Sequence, residues 1–89
     1  MKQIIFSPLA QDQLFEWSQT DLKTLKKVIE LISEMKKDPF KGKGKPEPLK
    51  HNLKGFWSRR ITDEHRLVYR VGEHGDLLIH SCKGHYSDK

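Results

Sequence analysis

Apolar residues along this chain recur at two spacings, and the switch between them divides it. Residues 2–6, KQIIF, form a short apolar run that reads as a strand. Ser7 followed by Pro8 marks a helix start, because a serine oxygen can cap free backbone N–H groups and proline is tolerated at the first helical position. Ala10, Leu14 and Trp17 then recur at helical spacing, which predicts a short helix ending near Thr20. Asp21 offers a second cap. Leu22, Leu25, Val28, Ile29, Ile32 and Met35 follow at three- and four-residue intervals, predicting a helix over residues 22–37. Pro39 stops it, since the residue before a proline is pushed out of the helical region. So short a connection implies two antiparallel helices.

From residue 56 the spacing falls to two. Runs at 56–61, 65–71 and 77–83 are separated by polar turns at 62–64 and 72–76, the pattern of an antiparallel meander. In the middle run Leu67, Tyr69 and Val71 alternate with Arg66, Val68 and Arg70, so one face can pack on the helices while the other presents arginines. Between the two periodic regions, residues 41–54 hold too much Gly and Pro for a regular element and read as an extended loop. The expected fold class is therefore α+β: one domain, residues 1–89, with an N-terminal strand and two antiparallel helices packed on an antiparallel β-meander.

Composition narrows the setting. A chain of 89 residues buries only about three fifths of its unfolded surface, so its core must be economical. The single cysteine, Cys82, cannot form an intrachain disulfide, and no run suits a signal peptide or a bilayer span. A reducing cytoplasm and no membrane association are the expectation. Charge is uneven: residues 41–60, KGKGKPEPLKHNLKGFWSRR, carry seven Lys or Arg and one acid, Glu47, while the flanking stretches nearly balance. The net charge of +5 thus resides in this segment, which also contains Phe56 and Trp57. Such a cluster suits a phosphate-rich partner. A lone carboxylate held among those cations by Pro46 and Pro48 suggests chemistry on that partner.

Metal-free cleavage of RNA needs a base for the ribose 2′-hydroxyl, an acid for the leaving 5′-oxygen, and cations around the phosphorane. Glu47 is the candidate base and His85 the candidate acid, with Arg66 and Lys50 or Arg60 as the clamp. Histidine suits the acid role because its ordinary pKa lies near neutrality. His51, Arg59 and Tyr86 are further candidate contacts to the RNA. Read singly, each has a plainer meaning: Glu47 as a solvated partner of its lysines, Arg66 as a partner of Asp63 or Glu64 across a turn, His85 and Tyr86 as surface residues. Trp57 reads as packed at the sheet edge. His65, His80, His85 and Cys82 match no zinc spacing, and the Gly-Lys-Gly repeats lack the pattern of a phosphate loop, so neither a metal nor a cofactor is expected.

Taken together, KGKGKPEPLKHNLKGFWSRRITDEHRLVYRV and the later His85-Tyr86 pair resemble the YoeB/Txe toxins of the RelE superfamily, over essentially the whole chain. The resemblance implies a RelE-like fold, related in outline to small microbial ribonucleases. It implies a type II toxin that cuts mRNA in the ribosomal A site. It also carries over Glu47 as general base, His85 as general acid and Arg66 as the residue stabilising the transition state, with Lys50, Arg60 and Tyr86 as supporting contacts. An acidic YefM-like antitoxin, operator DNA bound only through the toxin–antitoxin complex, and a homodimer belong to the same expectation. Gly84 and the three residues after Tyr86 depart from the family's usual ending, and a glycine there could loosen His85. Two other readings stay open: a ParE-like gyrase inhibitor, and a non-catalytic module that binds RNA or the ribosome. Neither has a use for an acid and a base together.

Overall fold

A computed structural model of the chain describes residues 3–85. Its elements are β1 (Ile4–Phe6), α1 (Pro8–Thr20), α2 (Leu22–Lys37), β2 (Glu47–Pro48), β3 (Trp57–Arg60), β4 (Arg66–Val71) and β5 (Leu77–Ser81), with a 3-10 turn at His51–Leu53. The fold is α+β, and β3, β4 and β5 form the expected antiparallel meander.

Two pairings enlarge it. β1 runs parallel to β5, with Ile4, Ile5 and Phe6 beside Leu77, Leu78 and Ile79. Inside the expected loop, Glu47 and Pro48 add an edge strand antiparallel to β3. The sheet is therefore five-stranded and mixed, in the order β1-β5-β4-β3-β2. Prolines are tolerated there because an edge strand needs fewer backbone donors than a central one.

Ser7 links the first strand to everything else. Its hydroxyl accepts from the Ala10 N–H at 3.0 Å, capping α1, and donates to the His80 carbonyl at 2.6 Å, while its own N–H donates to the Ile79 carbonyl at 2.9 Å. Asp21 is the sole residue between the helices. Its N–H closes α1 on the Trp17 carbonyl, and its carboxylate accepts from the side chain and backbone N–H of Thr24 at 2.7 and 3.1 Å to open α2. Those bonds, the Thr24 hydroxyl first, hold the Asp21 carboxyl below its ordinary pKa.

The helices cover one face of the sheet. Val28, Leu31, Ile32 and Met35 of α2, with Ala10 and Trp17 of α1, close over Leu67, Tyr69, Leu77 and Ile79. Leu22 and Ile29, counted in the apolar stripe by spacing alone, are instead 64% and 57% exposed. The buried line runs through Thr24, Val28, Leu31 and Met35. One residue is about 100° of rotation, so Leu22 and Ile29, a heptad apart, fall together on the shoulder of the helix.

The basic loop is pinned from inside. Arg59, expected to touch RNA, is fully buried, and this corrects the sequence reading. Its Nε donates to the Tyr69 hydroxyl, Nη1 to the Lys43 carbonyl, and Nη2 to the carbonyls of Asp38 and Lys41. The Tyr69 hydroxyl in turn donates to the Pro39 carbonyl at 2.6 Å. Strand alternation explains the misassignment: adjacent arginines in β3 must face opposite ways, and Arg59 shares the helix-facing side with Trp57. Gly44 accounts for one of the Gly-Lys-Gly glycines. It lies at φ +87°, its carbonyl accepts from the Arg60 N–H at 2.7 Å, and a Cβ there would come within 3.0 Å of both Arg59 Cβ and Leu31 Cδ2.

Candidate active site

Three candidates, Glu47, Arg60 and Arg66, share the sheet face turned away from the helices. Residues paired across neighbouring strands point the same way, so the register aligns Glu47 with Ser58, Val68 and Ser81 in one row. Two residues further along the same face Arg60 stands opposite Arg66, a step of about 7 Å. A carboxylate and two guanidinium-bearing residues thus share one face, set by backbone pairing rather than by loop contacts. Ser58 and Val68 in the Glu47 row are closed off from solvent, whereas Glu47 and Arg60 are exposed.

Arg66 is half-buried, and its Nη1 donates to the carbonyls of Thr62, Asp63 and His65 at 2.7, 3.1 and 3.1 Å. The plainer expectation named the carboxylates of Asp63 or Glu64, but the turn binds this arginine through backbone oxygens. That contact orients the guanidinium without consuming a negative side chain.

His85 is delivered by a backbone clasp. The Arg66 N–H donates to the Gly84 carbonyl at 3.0 Å, and the Gly84 N–H donates to His65 Nδ1 at 2.8 Å. Gly84 adopts φ +80°, a conformation glycine takes without the penalty a Cβ would bring. With both its polar backbone groups held, this glycine anchors the residue that follows. The clasp is buttressed: the His65 ring meets Trp17 edge-on at 4.8 Å, Trp17 Nε1 donates to the Cys82 carbonyl at 2.9 Å, and Lys83 lies over the Trp17 ring while pairing with Glu16. Beneath it Cys82 is buried, which pushes its thiol up to about 11. His65 and Trp17 were not singled out for this role. The available signals were the position of His65 beside Arg66 and a tryptophan on the inner face of a helix.

The remaining candidates scatter more widely. Lys50 and His51 are exposed at the entrance of the 3-10 turn, where His51 takes φ 56°, a left-handed conformation that non-glycine residues seldom adopt. Lys43 is drawn back to α2, where it pairs with Glu30 at 3.1 Å; that bond raises the lysine's pKa and lowers the glutamate's. Phe40 packs on Trp57 at 4.7 Å, so this tryptophan is a packing residue, as its sequence position suggested. Tyr86 lies outside the described residues.

The fold recurs in other solved chains. A chain solved in the RelBE2 toxin–antitoxin complex of Mycobacterium tuberculosis superimposes with a TM-score of 0.72 over 94% of this chain and 98% of its own, at 22% identity, a likeness that speaks to fold alone. Nearer matches set the family. A YoeB/ParE toxin from Agrobacterium tumefaciens is 44% identical with a TM-score of 0.91, over 94% of this chain and 99% of its own. YoeB from Staphylococcus aureus is 45% identical in two structures: a heterotetrameric YoeB-YefM complex, with TM-score 0.86 over 97% of this chain and 99% of that one, and a YoeB dimer, with TM-score 0.87 over 96% and 98%. Toxin YoeB of Escherichia coli K12 is 55% identical over 83 residues, covering 93% of this chain and 98% of its own. The family model for YoeB-like toxins of bacterial type II toxin–antitoxin systems matches residues 6–86, and this chain belongs to that family.

Proposed function

We propose that this toxin is a ribosome-dependent endoribonuclease that cleaves mRNA in the A site, without a metal, by attack of the ribose 2′-hydroxyl on the adjacent phosphate. Glu47 takes the 2′-hydroxyl proton. The oxygen so activated bonds to phosphorus, the P–O5′ bond breaks, and His85 gives its proton to the departing 5′-oxygen. The products are a 2′,3′-cyclic phosphate and a 5′-hydroxyl. Arg66 and Arg60 meet the charge that grows on the phosphorane, where preorganised cations are most effective. Lys50, His51 and Tyr86 complete the contacts to RNA.

The observation that carries this reading is the register that aligns Glu47 with the row beside the Arg60–Arg66 pair, together with the clasp that ties residue 84 to Arg66. Base and cations come from separate strands of one sheet face, and the proposed acid follows the residue whose carbonyl accepts from Arg66 N–H. A gyrase inhibitor or passive RNA binder needs no such grouping. Control follows from the relatives: YoeB of S. aureus assembles with YefM, and we extend to this chain an acidic, partly disordered antitoxin that covers the basic face. Operator DNA would be held by that antitoxin within the complex, and the toxin would act in the cytoplasm. A homodimer is likewise extended from the S. aureus dimer.

The test is to add purified toxin to translating ribosomes carrying a defined mRNA and to map the ends, with wild type and Glu47→Ala side by side. Cuts in the A-site codon with 5′-hydroxyl ends, lost in the variant, are expected. Intact mRNA with wild type, or equal cutting by both, overturns the reading.

A further inference from the structure

The far face of the sheet extends beyond the catalytic row in the direction opposite to Arg60 and Arg66. Two residues before Ser58, just ahead of β3, lies Phe56, and two residues after Val68 in β4 lies Arg70, and the two side chains meet. The Arg70 guanidinium stands 5.9 Å from the centre of the Phe56 ring. His80 closes the group, its ring 5.4 Å from that of Phe56 at an angle of 60°. A register break makes this possible. Val68 pairs with Ser81 and Tyr69 with Ile79, so His80 is the extra residue of a β-bulge, a device that re-aims a side chain beside functional sites. Around these three side chains is a hollow of about 200 Å³, floored by Leu78 and reached by Ile5 and Ser7. It is too small for a drug-sized ligand, which takes roughly 300 Å³ or more. It suits one flat ring.

We propose that Phe56, Arg70 and His80 form a stacking platform for a single nucleobase of the RNA strand, flanking the cleavage point and distinct from the residues that perform the cut. The inference rests on the nuclease reading for its place along the strand. Its chemistry stands independently: an aromatic face accepts any base, a second ring can cover it, and a guanidinium can stack on a base or hold a phosphate. The platform shares a sheet face with Glu47 and Arg66, and Arg70 lies four residue steps along β4 from Arg66, about 13 Å. One extended strand of RNA can therefore touch both. An acidic peptide would use Arg70 but has little use for two tilted rings beside it.

The measurement uses the double variant Arg70→Ala/His80→Ala, both exposed positions whose loss leaves the core intact. Binding of a labelled short single-stranded RNA is followed by anisotropy, with an abasic site moved through the oligomer one position at a time. Ribosome-programmed cleavage is measured in parallel. Wild type is expected to lose about ten-fold in affinity when the abasic site occupies one particular position; the double variant should bind intact RNA about ten-fold more weakly and be insensitive to that abasic site. In cleavage the variant should need more substrate for half-maximal rate while its rate at saturation stays near wild type. Unchanged affinity with an unchanged abasic profile overturns the platform, even if the wild type cuts mRNA normally. Loss of binding to an acidic peptide with RNA affinity intact overturns it in favour of a protein-docking surface. If the platform behaves as stated yet no form of the protein cuts mRNA, the nuclease reading falls and the binding site stands.

Discussion

Glu47 and His85 owe their positions to different constraints. Glu47 is fixed by two-residue pairing at a sheet edge, while His85 follows a glycine gripped through both its backbone groups. With these two as base and acid, alanine at either should slow single-turnover cleavage about a hundredfold or more, and the double variant should fall short of the product of the two losses. Equal rates for wild type and both single variants would return Glu47 and His85 to the surface. Arg66→Ala should reduce the chemical rate with little change in ribosome affinity, since its contact strengthens as charge builds on phosphorus. His65 acts one step removed. Replacing it with Phe keeps the ring against Trp17 but removes the acceptor for the Gly84 N–H. Cleavage at saturation should then drop while ribosome affinity holds, and His65→Asn, which retains an acceptor oxygen, should recover part of the rate. No difference between the two variants would mean that the clasp does not position His85.

At the scale of elements, the basic loop depends on a buried guanidinium. Arg59→Met keeps the stem but withdraws donors from Tyr69 and from the carbonyls of Asp38, Lys41 and Lys43, a loss of about 2–4 kcal/mol, readable in urea melts. Gly44 and Gly55 form a matched pair for the loop's other constraint. Both take positive φ, but only at Gly44 would a Cβ meet neighbours at 3.0 Å, so Gly44→Ala should destabilise more than Gly55→Ala, and equal losses would refute the crowding argument. The helix junction contributes to the acid sensitivity. Because the Asp21 carboxyl is held below its ordinary pKa, its stabilising effect is complete above the unfolded-state pKa and fades as pH falls through the folded one. Asp21→Asn, still a good cap, should flatten that part of the pH profile of the melting temperature. Both helices, the three central strands and the caps were legible because periodicity and local side-chain chemistry determine them. Arg59 and the β2 edge strand were not. Their state depends on what closes over them from elsewhere, and a Pro-Glu-Pro run carries no local sign that it will pair.

For the whole molecule, the excess charge concentrates in residues 41–60, but the fold does not present all of it. Arg59 is turned inward and Lys43 is engaged by Glu30, which leaves Lys41, Lys45, Lys50, Lys54 and Arg60 exposed. Ribosome affinity should fall steeply as salt rises, and Lys50→Ala should lower that slope more than Lys43→Ala does. A salt-independent affinity would sink the electrostatic account. Glu47, Arg66 and His85 could be proposed from residue chemistry and the family resemblance, but the shared face of Glu47, Arg60 and Arg66 comes from sheet register, which no local pattern encodes.

The parallel pairing of β1 with β5 also bears on how a cell can make this protein. Residues 4–6 emerge first, yet their partners at 77–79 come more than seventy positions later. The first strand must wait, because contacts between distant segments close only after the intervening chain has been synthesised and folded. The clasp on Gly84 is completed later still. With Glu47, Arg66 and His85 as the proposed set, a nascent chain whose residues 77–85 are still inside the ribosome has not assembled it. Stalling the nascent chain before β5 clears the exit tunnel should yield a species that leaves mRNA uncut, whereas adding a linker that lets residues 77–85 emerge should restore cutting in cis. Cleavage from the shorter stalled chain would show that the site needs neither strand, and that the order of synthesis offers the host no protection.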